Sequence, residues 1–263
     1  MKYILVTGAY GGMGRKTAEA LAEKGYTVFA LDCKTESPQK NMIPIKADLT
    51  DEASICQAVQ SVRAVTDTLF AIIHFAGIYM LDSLAEMDSE SFERIFRINV
   101  FGAFLINKAF LPFLKKGSRI LMTTSELAPL DPLPFTGIYA VTKSALDKYA
   151  YSLRMELQLL DIEVSVLRAG AVDTGMLGVS TQALDRFCEN TTLYSCNAKR
   201  FKAIVESVES RCIAPEKIAR KTVEILHKKH TKFAYSINRN PLLLTLDVLP
   251  KQLQLSIIKK ILK

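Results

Sequence analysis

The sequence has no CxxC pair, no internal repeat, no low-complexity tract and no unbroken run near the ~20 apolar residues of a membrane span. Its five cysteines, Cys33, Cys56, Cys188, Cys196 and Cys212, are odd in number and irregular in spacing. That excludes a disulfide framework and points to reduced thiols in a cytoplasmic protein. There are three histidines. His227 and His230 share a helix face but have no third ligand nearby, and catalytic zinc usually takes three, so no metal is expected. The apolar stretch at residues 3–7 is short and meets glycine at once, unlike a signal peptide. No Pro/Gly/Ser linker divides the 263 residues, and one domain over 1–263 is expected. The net charge of +7 raises nucleic acid as a partner. The cations are spread, apart from residues 227–232 and the C-terminal end, so no nucleic acid is expected.

What is present is a hydrophobic fraction of 49%, enough for a sizeable core, in an alternating pattern. Apolar runs at Tyr3–Val6, Thr27–Leu31, Met42–Ile45, Leu69–His74, Arg119–Thr123 and Glu163–Leu167 read as strands, with Lys232–Ser236 a seventh. Helical patterns lie between them, near 13–24, 51–65, 89–114, 138–160 and 214–228. Strands apolar on both faces and joined by helices give an α/β, doubly wound parallel sheet.

The first strand runs into TGAYGGMG, Thr7–Gly14. Glycines there allow a tight turn and close approach of backbone to phosphate oxygens, and the helix that follows presents free N–H groups. Asp32 closes the second strand, 18 residues after Gly14, near the usual offset for an acid on an adenosine ribose. A carboxylate there accepts bonds from both ribose hydroxyls and repels a 2′-phosphate. NAD is therefore expected over NADP, with Arg15 and Lys34 as cations able to offset the repulsion. Tyr139 and Lys143 stand four apart, on one helix face. The cation is expected to favour the phenolate and so to equip Tyr139 for proton exchange.

Taken in order, TGAYGGMG, Asp48 in ADLT, HFAG at 74–77, Asn99 in INVFG, Ser125, Tyr139-x3-Lys143, and Gly170 with Thr174 resemble the short-chain dehydrogenase/reductase family over about residues 1–235. The resemblance implies a Rossmann-type fold, a hydroxysteroid-dehydrogenase-like activity and NAD(H) chemistry. It implies catalytic roles for Ser125, Tyr139, Lys143 and Asn99, the last ordering a water. It implies cofactor contacts from Gly8, Gly11, Gly12, Met13, Gly14, Asp32, Asp48, Leu49, Ala76, Gly77, Tyr139, Lys143, Val172 and Thr174, and substrate contacts from Ser125 and Tyr139. Departures are His74-Phe75 where the family has two asparagines, Ala169 where a proline is common, and one extra residue between Ser125 and Tyr139. Thr124 is the fallback for the serine.

A substrate lid is expected at about 175–212, carrying Met176, Leu177, Val179, Leu184, Phe187, Leu193, Tyr194 and Phe201. With Tyr79–Leu81 and with Leu130, Leu133 and Phe135 it would form an apolar pocket, suited to a hydrophobic alcohol or ketone such as a steroid or bile acid. Packing of the lid alone is the rival use of these side chains. A non-catalytic dinucleotide sensor and a reductase of acyl or sugar-nucleotide substrates are the rival functions. The tail, about 241–263, is expected to form a basic amphipathic helix from Pro250. Three roles stay open for it: packing on the domain, a subunit contact, or lying on an anionic membrane surface. The long helices suit a homo-oligomer.

Overall fold

Seven short apolar runs become the seven strands of one parallel sheet, ordered β3-β2-β1-β4-β5-β6-β7. They are β1 (Tyr3–Thr7), β2 (Thr27–Asp32), β3 (Met42–Lys46), β4 (Leu69–His74), β5 (Leu114–Ser125), β6 (Glu163–Ala169) and β7 (Ala234–Ile237). The computed structural model describes residues 2–209 and 211–263; the side chains of residues 176–181, 208 and 209 are outside the described set. Ile4, Leu5 and Val6 of β1 are fully buried because helices cover both faces of the sheet, which is why the run needs no polar alternation.

On one face lie α2 (Glu52–Arg63), α4 (Gly102–Phe110) and α5 (Gly137–Leu157). Their Ile55, Val62, Ile106, Phe110 and Leu146 meet Leu5, Phe29 and Ile72 of the strands. On the other face α1 (Gly12–Glu23) and α8 (Pro215–His227) bring Ala18, Leu21, Ile218 and Val223 against Ile4, Val6 and Val28. The Asp51 side chain caps α2 by accepting the Ala53 N–H at 2.9 Å, and Pro215 occupies the first turn of α8, where no N–H bond is lost.

Three departures from the sequence expectation have local causes. The expected helix at 89–114 is α3 (Ser89–Phe96), one π-helical turn over Arg97–Phe101, then α4 and a short 3-10 turn at Leu111–Phe113. Strand β5 begins five residues early, at Leu114, through exposed Lys115–Gly117. The register shifts between Leu69 and Ala71 there, and Gly117 takes φ +84°. The polar Lys-Lys-Gly stretch hid this start from a search for apolar runs. Finally, residues 89–113 are apolar enough by length and mean hydropathy to cross a membrane, though not as an unbroken run. Ile95, Ile106 and Phe110 there are fully buried, as in a helix of the core.

Beyond β6 the segment expected to act as a lid folds as α6 (Gly175–Asn190) and α7 (Ser195–Glu209). Glu86 clasps it from the loop after β4, accepting from the Thr191 hydroxyl at 2.6 Å, the Thr192 N–H at 2.8 Å and hydroxyl at 2.9 Å, and the Leu193 N–H at 3.1 Å. The tail forms α9 (Pro241–Val248) and α10 (Lys251–Leu262), the second starting where the amphipathic pattern begins. Leu262 and Ile258 of α10 join the lid cluster around Phe201, while Lys259, Lys260 and Lys263 stay exposed. The tail thus packs on the domain through Leu262 and Ile258, while Leu253, Leu255 and Ile261 of the same helix are exposed.

Candidate active site

The sheet is parallel, so all of its strands end on one side, and the singled-out residues gather there. Thr7 hands the chain to Gly8, whose φ of +66° is left-handed; a Cβ there would stand 2.6 Å from the Ala76 nitrogen. Gly11 precedes α1 and, having no side chain, leaves the first N–H groups of the helix without a side-chain cap from the N-cap position. Thr174, past β6, closes on the same turn: a Cβ on Gly12 would lie 2.5 Å from its methyl. Asp32 ends β2, its carboxylate held by the Tyr10 N–H at 3.0 Å and the Lys34 N–H at 3.1 Å. Arg15 pairs with Glu36 through both guanidinium nitrogens, one contact being 2.8 Å. These features fit the diphosphate and ribose of a dinucleotide.

The remaining residues of the crevice have equally definite places. Asp48 accepts the Thr50 N–H at 2.8 Å and hydroxyl at 2.7 Å on one oxygen, and Leu49 beside it is buried under Gly102. Met13 opens α1 and, with Val172, lines the cavity described below. Gly77 touches the floor of the site: a Cβ there would lie 3.1 Å from Asn99 Oδ1 and 3.4 Å from Lys143 Nζ.

Asn99 sits in the π-helical turn, a local widening often found at functional sites. Its amide accepts the Ile78 N–H at 2.8 Å and donates to the Ile78 carbonyl at 2.9 Å and to the Thr142 hydroxyl at 3.3 Å. Helix α5 presents Tyr139 and Lys143 one turn apart. Tyr139 hydrogen-bonds Ser125 at the end of β5, and its ring meets that of Tyr79 edge-on, centroids 4.6 Å apart. Thr124 borders the same cavity, with its hydroxyl donating to Asp147 Oδ1 at 3.3 Å. Asp147 in turn holds Arg168.

The electrostatics reverse one expectation. Burial pushes the Tyr139 phenol up to about 12, against the smaller opposing effect of its Ser125 bond. Burial also pulls the Lys143 ammonium down to about 8. Lys143 Nζ donates to the Thr123 carbonyl at 3.3 Å and lies 5.7 Å from the centre of the Tyr139 ring. The cation is near, as the spacing foretold. Burial shifts both groups toward their neutral forms. At neutral pH, however, an ammonium at about 8 and a phenol at about 12 both still carry their protons, so the chain by itself keeps the cation yet does not supply a phenolate.

Ser125 and Tyr139 open onto a cavity of about 200 Å³. Tyr79, Leu133 and Phe201 line it as expected from sequence. Leu81, Phe135, Leu184 and Phe187 instead form, with Phe201, the core of the lid, and Tyr194 packs against it. Leu130 borders a smaller neighbouring cavity, and Leu193 is exposed. Met176, Leu177 and Val179 lie outside the described side chains. Sequence reasoning missed Glu126, Ile204, Val205 and Leu243, which complete the wall. Glu126 had a usable signal, a charged residue directly after the serine at a strand end.

The departures also find partners. His74 is buried with Nε2 2.9 Å from Asn107 Oδ1, and Asn107 donates on to the Tyr149 hydroxyl at 3.2 Å. Burial pulls the imidazole down to about 4. Phe75 joins the core. His227 is occupied by the Val223 carbonyl, 2.7 Å from its Nδ1, and lies 3.4 Å from the Tyr26 hydroxyl.

Known proteins resemble this chain over most of its length. The chain is 25% identical over 231 residues to a 3-ketodihydrosphingosine reductase of Bacteroides thetaiotaomicron, covering 88% of this chain and 85% of that protein. It is 31% identical over 189 residues to mouse estradiol 17-beta-dehydrogenase 2, covering 67% of this chain but only half of the larger relative. A short chain dehydrogenase family protein from Francisella tularensis superposes with a TM-score of 0.75 at 25% identity, covering 90% of this chain and 97% of that one. The short chain dehydrogenase family model matches residues 2–185, and the chain belongs to that family, oxidoreductases that use NAD(P) on carbonyl and CH–OH groups.

Proposed function

We propose that the protein is an NAD(H)-dependent oxidoreductase that interconverts a hydrophobic secondary alcohol and its ketone, with hydroxysteroids and bile acids the first substrates to try. The observation that carries this is the pairing of Ser125 and Tyr139 at the polar end of an otherwise largely apolar cavity, with Lys143 Nζ 5.7 Å from the centre of the Tyr139 ring. The names of the two relatives, a 3-ketodihydrosphingosine reductase and an estradiol 17-beta-dehydrogenase, support a lipid-like substrate.

In this reading Gly8, Gly11, Gly12, Met13 and Gly14 hold the diphosphate, and Asp32 the adenosine ribose. Asp48 and Leu49 flank the adenine. Ala76, Gly77, Tyr139 and Lys143 meet the second ribose, and Val172 and Thr174 the carboxamide. When bound, the nicotinamide donates or accepts hydride and, oxidised, adds one positive charge. Ser125 holds the substrate oxygen by a hydrogen bond. Tyr139 passes a proton to that oxygen in reduction and takes it back in oxidation. With the phenol pushed up to about 12, the chain alone keeps Tyr139 in its proton-donating form, ready for reduction. Oxidation requires added positive charge beside the phenol. Lys143 is half of that supply, and Asn99 sits behind it to order the water that refills the proton. Preference for NAD(H) rests on Asp32 and on Arg15, whose charge Glu36 already neutralises. The chain works as one domain with the lid at about 175–212. Homo-oligomers would cover the half-exposed Phe101, Phe104, Tyr151 and Met155 of the π-helical turn, α4 and α5.

The test is a nicotinamide-fluorescence screen across steroids, bile acids, aliphatic ketones and sugars, repeated with Tyr139→Phe. Turnover of hydrophobic members is expected, with the variant slower by about 10²–10⁴ while cofactor binding is kept. Equal turnover by Tyr139→Phe, or activity confined to sugars, overturns the reading.

A further inference from the structure

Glu126 is a carboxylate that proton transfer at Ser125 and Tyr139 leaves unused. It follows Ser125 directly at the end of β5, is 7% exposed and borders the same cavity. Its backbone N–H donates to the Ala169 carbonyl at 2.9 Å, which fixes it beside the reacting residues. One carboxylate oxygen, Oε2, accepts the Asn240 N–H at 2.5 Å. The other, Oε1, lies 3.0 Å from where a Cβ on Gly170 would stand. Among the described residues no hydrogen bond reaches Oε1, and Glu126 forms no ion pair. Arg239 attracts it weakly from farther off, across a second small cavity that Arg211 also lines.

A buried carboxylate with a single amide partner, and with Arg239 too far off to form an ion pair, is costly to keep ionised, and burial does push this carboxyl up. Holding the start of α9 does not require the charge, since a neutral amide oxygen would accept the Asn240 N–H equally well. What the charge adds is an anion on a wall whose other members include Leu127, Leu133, Ile204 and Leu243. The partner that recovers the desolvation cost there is a cation that itself carries a hydrogen-bond donor.

We propose that Glu126 binds a protonated amine carried by the substrate close to its reacting carbon, so that the hydrophobic alcohol or ketone is an amino alcohol or amino ketone. This rests on the oxidoreductase reading above and narrows its substrate class. The net charge of +7 opposes cation binding in general, so a preference for amines would have to be local.

Calorimetry on the full chain with decylamine and decan-1-ol, matched in length, reads this without turnover. Wild type should bind the amine ~10-fold or more tighter than the alcohol, the range of one charge-assisted bond. E126Q, which keeps an acceptor for Asn240, should erase the difference. Equal binding of the two ligands by wild type, or a preference that survives in E126Q, overturns the proposal. Should E126Q fail to fold, R239Q decides: removing the competing cation must tighten amine binding, and unchanged or weaker binding counts against the site. Oxidation of decan-2-ol and 3-aminodecan-2-ol is followed separately. If neither reacts and the steroid and bile-acid screen is silent too, the hydrophobic-alcohol reading fails whatever the amine binding; if decan-2-ol reacts as well as the amino alcohol, only the amine site fails.

Discussion

Acid should destabilise this protein through His74 before the carboxylates that folding holds below their ordinary values are touched. The imidazole is 3% exposed at the end of β4, and its hydrogen bond to Asn107 is one that neutral histidine can make with Nε2 protonated. Its pKa falls from 6.5 to about 4 on folding because burial disfavours the charged ring. At pH 8 the ring is neutral in both states and contributes nothing to pH dependence. As pH falls through 6.5 the unfolded chain takes up a proton that the folded chain refuses. Stability therefore drops by about 1.4 kcal/mol per pH unit until the folded ring titrates, a total of about 3 kcal/mol. Between pH 6.5 and 5 the loss is about 2 kcal/mol. The clasp carboxylate Glu86, held down to about 2 by its Thr191 and backbone bonds, changes stability only below its ordinary value of 4.5, outside this window. Urea unfolding at pH 8, 6.5, 5.75 and 5, on wild type and His74→Asn, isolates the ring. The variant shifts the baseline at every pH, but it should remove the slope above pH 5. Parallel slopes in the two proteins would refute the assignment of a neutral buried imidazole.

Asp32→Ala should lower the ratio of NAD to NADP catalytic efficiency by about tenfold, the worth of a charged hydrogen bond, in steady-state assays with the two cofactors. A wild type that prefers NADP overturns the cofactor assignment outright. Glu86→Ala should loosen the lid and raise the rate of limited proteolysis within residues 182–207 several-fold, leaving the sheet protected; an unchanged cleavage rate would mean the clasp is decorative.

Much of this architecture could be read from residues alone, and the exceptions follow a pattern. The strands from Tyr3 to Ala169 announced themselves because both faces of a parallel sheet are buried, so apolar runs mark them without ambiguity. The start of β5 did not, because Lys115–Gly117 pair at an exposed end where burial imposes no composition. Tyr139 and Lys143 were legible from helical spacing, yet their charge states were not. Spacing reports nearness, whereas the phenol's rise to about 12 comes from burial by segments remote in sequence. Asn99 could be named by resemblance, but its seat in a π-helical turn depends on one extra residue per turn that no periodicity reveals. The partner of His74 was likewise invisible, since Asn107 lies 33 residues away and meets it only across the α4–sheet interface.

Part of the cavity wall lies outside the stretch that carries the proposed chemistry. Ser125, Tyr139 and Lys143 fall inside residues 2–185, the part shared with other short chain dehydrogenases, whereas Phe201, Ile204, Val205 and Leu243 of the cavity wall all come later. Drift in α7 and α9 can therefore reshape what enters while the proton-transfer floor stays constant. Swapping those two helices between relatives is the natural route to re-targeting this enzyme.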